Sequence, residues 1–237
     1  MPIAASRPVA GLSVTTNLSS YAMTAFTPTA NSLLVVFVSA VGTVAAAPTM
    51  TGGSLTWTRE LHLTSISGSV TTQAIFWAKV GGSPVSTAPT FDCTGDAATG
   101  CSMTCIQFTG YDSNAANPIQ QTKISAVLTN GTNGTITFDA ALNTLNGYAI
   151  ALVGAFTTAG NVTPPASWTE ADDGGVGSPG QSLCTAYRAG GETTAGPFTF
   201  THASTTWLTF GCEVKVENTI PNKIIQVKQA VNRANTY

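Results

Sequence analysis

The stretch SLLVVFVSAV, Ser32 to Val41, carries no charge and no regular alternation of polar and apolar residues. Its apolar part, Leu33 to Val41, is too short for a membrane helix, which needs about 20 residues. Val and Phe favour an extended strand over a helix. A strand without alternation is one covered on both faces. A second run, GYAIALVGAF from Gly147 to Phe156, has the same character. Any fold for this chain must therefore bury two strands on both sides.

The rest of the chain reads as strand and turn. Short runs of Val, Thr, Phe, Trp and Ile alternate with clusters of Gly, Pro, Asn and Ser. LTFGCEVKVE, Leu208 to Glu217, has period two. Leu208, Phe210, Cys212, Val214 and Val216 are expected on a buried face. Thr209, Gly211, Glu213, Lys215 and Glu217 are expected on a wet one. No segment before residue 218 has a helical period.

The two aliphatic runs belong to an internal repeat. GGSLTWTRE resembles PPASWTEAD and sets Trp57 against Trp168. AIFWAKVGGS resembles LCTAYRAGGE and sets Trp77 against Tyr187. STAPTFDCT resembles TAGPFTFTH and brings Phe91 near Phe198. The pairs fall in one order along the chain. We expect an all-β fold: a two-sheet antiparallel β-sandwich, jelly-roll-like, built by internal duplication. Residues 1–217 form one domain of two repeats, about 10–112 and 119–217, and residues 218–237 form a C-terminal arm. Two small sandwiches are the alternative, but six strand candidates per half are few to cover a doubly buried strand. The join GYDSNAANPIQQTK is short and polar, a loop rather than a flexible linker.

The arm holds Lys223, Lys228 and Arg233 and no acid. It also holds Ile220, Ile224, Ile225, Val227 and Val231. These eight residues are the candidate partner-binding set, with the bland alternative a frayed terminus. The N-terminal segment Pro2–Leu12 is a second candidate contact.

Charged residues make up 8 % of the chain, against about 25 % in an average soluble domain. The net charge of −2 argues against nucleic acid and anionic membranes as partners. The N-terminus lacks the basic and apolar regions of a signal peptide. The odd cysteine count, Cys93, Cys101, Cys105, Cys184 and Cys212, then favours reduced thiols buried in strands. No second Cys or His pair completes a zinc set with Cys101 and Cys105.

Reaction chemistry has few candidates. A Ser-His-acid triad would need His62 or His202, and both read as exposed strand or loop residues. No G-x-S-x-G elbow is present, and GVGSPGQS reads as a surface loop. Glu60, Asp92, Asp96, Glu170, Asp172 and Asp173 are the carboxylates available to a glycosidase pair, and they read as loop acids. EADDGG, Glu170 to Gly175, offers calcium ligands without the order of an EF-hand loop, and Asp with Gly is also turn chemistry. Trp57, Trp77, Trp168 and Trp207 are sugar-stacking candidates, although duplicated aromatics are more often core. No cofactor motif occurs.

The pattern NSLLVVFVSA, GGSLTWTRE, AIFWAKVGGS, CIQFTGYDSNAANPI, GYAIALVGAF, ASWTEADD and AYRAGGE resembles duplicated β-sandwich proteins of tailed-phage particles, over about residues 10 to 217. The resemblance implies a non-enzymatic virion protein of decoration, head-fibre or tail-accessory type, assembled in a bacterial cytoplasm. It implies no catalytic residue, metal or cofactor. The expected function is capsid decoration, with the major capsid protein or neighbouring copies of the chain as partners. A homo-oligomer is expected, and a trimer suits local threefold points. The alternatives are a carbohydrate-binding module of a tail fibre or spike, and a hydrolase on a lectin-like sandwich.

Overall fold

A computed structural model describes residues 2–42, 47–66, 69–93, 97–154, 162–177 and 180–217. The arm residues Ile220, Lys223, Ile224, Ile225, Val227, Lys228, Val231 and Arg233, and also Asp96, lie outside the described residues.

The described residues form strands and no helix. The first half holds β1 (Ala4–Ser6), β2 (Leu12–Val14), β3 (Ser20–Ala22), β4 (Ser32–Val41), β5 (Thr49–Thr51), β6 (Trp57–Ile66), β7 (Ser69–Lys79), β8 (Thr90–Asp92) and β9 (Gly100–Thr109). The second half holds β10 (Ile119–Ile136), β11 (Gly147–Gly154), β12 (Val162–Thr163), β13 (Thr169–Gly177), β14 (Gly180–Ala189) and β15 (Phe198–Val214).

One sheet runs β1-β9-β4-β7-β6, with β2 also on β9. The other runs β10-β15-β11-β14-β13, with β12 also on β15. The two orders correspond strand for strand: β9 with β15, β4 with β11, β7 with β14, β6 with β13. Register corresponds too, since Val35 pairs with Trp77 and Ala149 with Tyr187.

The sheets face each other across one apolar interior, as expected of a β-sandwich. Leu33, Val35, Phe37, Ile75, Ile106 and Phe108 of the first sheet meet Ala149, Ala151, Val153, Leu208, Phe210 and Val214 of the second. The Phe37 and Phe210 rings have centroids 5.4 Å apart. Gly147 is glycine because the sheets come close there. A Cβ on it would sit 2.7 Å from the Phe108 ring.

Each sheet is also covered on its outer face. Leu34, Val36, Val38, Phe76 and Met103 pack under the small sheet β3-β8-β5 through Tyr21, Met50 and Phe91. Tyr148, Ile150, Leu152 and Cys184 pack under Ile136, Val162, Phe198 and Phe200. In the second half, that cover is made by the far ends of β10 and β15. They pair from Asn133 to Ile136 with Phe198 to Thr201, with β12 alongside. Register shifts between Val127, Gly131 and Asn133 let one strand serve both layers, because a bulge bends the strand it interrupts. The chain thus stacks four layers, and the middle two carry the unalternated runs. Every residue of β4 and of β11 is buried. Each fully buried aliphatic or phenyl side chain is worth about 1.5–3 kcal/mol.

This layering overturns the wet face expected of LTFGCEVKVE. Thr209 and Glu213 are 0 % and 1 % exposed, because the far end of β10 covers Thr209 and the loop before β11 covers Glu213. The Thr209 hydroxyl donates to the Thr135 carbonyl at 2.7 Å. EADDGG is not a turn but lies within β13. Gly174 serves close packing, for a Cβ on it would fall 2.3 Å from Ser13 Oγ. The segment Pro2–Leu12 is built into the sandwich: Ala4 to Ser6 pair with β9, and Ile3 enters the shared interior.

Candidate functional site

The polar side chains best placed for chemistry gather where the two halves join. β15 carries Glu213 into a cleft of about 530 Å³ lined also by Asp112, Gln121, Asn143, Asn146 and Lys215. Glu213 accepts from Gln121 Nε2 at 2.6 Å, from the Asn143 backbone N–H at 2.8 Å and from Asn146 Nδ2 at 2.9 Å. Asn146 Oδ1 in turn accepts from the Val216 N–H at 2.9 Å. One buried carboxylate therefore fastens β10, the loop before β11 and the end of β15. Beside it, Tyr148 donates to the Asn143 carbonyl. Its phenol is pushed up to about 12, mainly by burial and further by the Glu213 charge.

The other charges at this end hold the join. Asp112 Oδ1 accepts from the backbone N–H groups of Asn114 and Ala115, at 3.1 and 3.2 Å. Lys79 Nζ donates to the carbonyls of Ser113 and Ala115, at 3.1 and 2.6 Å. Lys215 Nζ donates to the Asn117 carbonyl at 2.9 Å. Glu60 accepts from Trp77 Nε1 at 3.0 Å and from Asn117 Nδ2 at 3.2 Å. Trp77 and Lys79 also line a second cleft, of about 480 Å³, with Ser54, Leu55, Thr58 and Ala116. Lys79 and Glu60 come from one half and Lys215 from the other, so both halves grip the connecting loop. Asp112, Glu213 and Glu60 accept from neutral amides, backbone N–H groups and an indole. That chemistry orders loops.

The residues singled out from the sequence do not converge on a site. Glu60 stands on β6 rather than in a loop, and Glu170, Asp172 and Asp173 stand on β13. His202 is not exposed: it is 5 % accessible and stacks edge-on against Trp207. His62 is half-buried opposite Ala74. Trp77, Trp168 and Trp207 are buried, and Trp57 is half-buried with its N–H on the Gly52 carbonyl at 3.2 Å. Trp77, Trp168 and Trp207 each expose less than a tenth of their surface. Among the described residues no group of three or more His, Cys, Asp and Glu is placed to hold a metal ion.

All five cysteines are buried thiols without a disulfide. Burial raises the thiols of Cys101, Cys105, Cys184 and Cys212 far above their ordinary range. The thiolate is the reactive form, so the native protein should take up no aromatic-disulfide reagent at pH 8. Five equivalents should react in denaturant. Fast reaction of a native thiol would contradict the layering.

Arg7 and Asp172 bridge the halves at 2.8 Å. Even so, the Asp172 carboxyl is held above its ordinary value, because burial outweighs the guanidinium. Glu170 is raised as well, by burial and then by Asp173 and Asp172. A raised carboxyl binds its proton more tightly in the folded chain. The stability this confers is complete below the unfolded-state value and is lost as pH rises through the folded one. Asp172→Asn should therefore gain stability relative to the parent between pH 3 and pH 7, in urea melts at each pH. The opposite trend would show that the pair is a net stabiliser.

Glu213 was missed because alternation placed it on the supposedly wet face of its strand. The available signal was the amide-rich ALNTLNGY segment, Ala141 to Tyr148, which has to order its own backbone and finds a carboxylate to do so. No protein-family model, curated protein or solved structure matches the chain.

Proposed function

We propose that the chain is a non-enzymatic structural subunit of a tailed-phage particle that decorates the assembled shell. The observation that carries this reading is the commitment of Glu60, Asp112 and Glu213 to amide, backbone and indole donors of the protein itself. A body whose clefts are spent on internal bonds is suited to contact. The four-layer build gives it stiffness, and the low charge lets copies stand close together. The common strand order of the halves supports descent from one duplicated unit, in line with the resemblance of their motifs to duplicated virion proteins. The burial of Trp77, Trp168 and Trp207 favours this reading over a carbohydrate-binding module.

In this reading the protein binds subunits only in their assembled arrangement. It thereby stabilises that arrangement by mass action, and many weak sites on a lattice add avidity. The arm residues 218–237 supply aliphatic and basic side chains for attachment. The test mixes recombinant protein with shells stripped of their accessory proteins, followed by sedimentation and negative-stain imaging. Co-sedimentation with a regular added density is expected. Protein that stays in the supernatant beside intact shells contradicts the proposal.

A further inference from the structure

The inward face of the first sheet turns from apolar to polar along its strands. Along β4 the inward residues run Leu33, Val35, Phe37 and then Ser39; along β7 they run Trp77, Ile75 and then Gln73 and Thr71. Along β9, Phe108 and Ile106 give way to Thr104 and Ser102. Strand register sets Ser102, Ser39 and Gln73 side by side across three neighbouring strands. Ser13 of β2 lies opposite Ser102, and their hydroxyls are 3.3 Å apart. From the facing sheet, Gln181 Nε2 donates to Ser39 Oγ at 2.6 Å.

The row starts at the surface and ends inside. Ser13 is exposed, whereas Ser102, Ser39 and Gln73 are 2 %, 1 % and 0 % exposed. At the inner end, neither Nε2 nor Oε1 of Gln73 bonds a protein group. The same holds for Gln181 Oε1, Thr71 Oγ1 and Thr104 Oγ1. Buried polar atoms in native proteins are almost always satisfied, by protein or by ordered water.

We propose that this row is a binding site for ordered water, a file that enters beside Ser13 and ends on the Gln73 amide. The donor set selects the ligand. A cation would meet the Gln73 NH2 and an anion its carbonyl oxygen, while water both donates and accepts. Internal waters typically make about three bonds to groups otherwise unsatisfied, and amide and hydroxyl atoms lie on both sheets here. The file then ties the sheets at the end where the first sheet is polar.

The test compares the parent with Gln73→Met, which keeps the length of the side chain and removes both polar atoms. It uses crystal structures that order the solvent, together with oxygen-17 magnetic relaxation dispersion, which counts long-lived internal waters. Water bonded to both polar atoms of Gln73 is expected in the parent, with loss of at least one long-lived water in the variant at unchanged strand content. Should Gln73→Met fail to fold, Gln181→Met, on the facing sheet opposite Ser39, is read in the same way. A dry row in which Gln73 bonds directly to Thr71, Thr104 or Gln181, or an unchanged water count in the folded variant, would overturn the proposal.

Discussion

Glu213→Ala should lower the unfolding free energy by about 2–4 kcal/mol, because one buried and two part-buried donors lose their acceptor, at about 1–3 kcal/mol for the buried one and less for the two that solvent in the cleft can reach. The donors are Gln121 Nε2, Asn143 N–H and Asn146 Nδ2. The loop before β11 hangs on that carboxylate, and Asn146 passes the restraint on to Val216. Glu213→Gln should cost roughly half as much, since it retains one acceptor oxygen and turns an NH2 toward neighbouring donors. Urea melts at pH 7 read both changes. A loss under about 1 kcal/mol for the alanine variant would mean that the network is a surface feature of little weight.

Phe37→Ala and Phe210→Ala should each cost about 3–5 kcal/mol, the usual range for a buried phenyl ring replaced by a cavity. Both side chains are fully buried, and they touch across the boundary between the halves. The double variant should cost less than the sum of the singles, with a coupling of about 0.5–1.5 kcal/mol for the ring pair. Strict additivity would mean that the halves do not feel each other there. The sheets also come close at Gly147, where Phe108 leaves no room for a side chain.

The strands most legible in the sequence were those whose environment leaves no choice. Leu33 to Val41 and Ala149 to Gly154 are buried on both faces, as their lack of alternation requires. Trp77 stands opposite Val35 in one sheet and Tyr187 opposite Ala149 in the other. Elsewhere, burial depends on a layer that is remote in sequence. Thr209 and Glu213 read as surface because nothing near them announces that β10 will bend over the one and the loop before β11 over the other. Ser39, Gln73 and Ser102 read as ordinary polar strand residues, and only the facing sheet turns them into an interior row. EADDGG misled because Asp and Gly are turn formers in isolation; in β13 the same small residues let two sheets approach. The roles of Glu60 and Lys79 were hidden because they hold a connecting loop about thirty to sixty residues further along the chain.

The central claim is that the two halves share one interior and stand or fall together. Differential scanning calorimetry of the full chain tests it most directly, by comparing the calorimetric enthalpy with the van't Hoff enthalpy. The shared interior predicts one transition with the two enthalpies equal, shifted to lower temperature as a single peak by Phe37→Ala. Two resolved transitions, with Phe37→Ala moving only one of them, would contradict it.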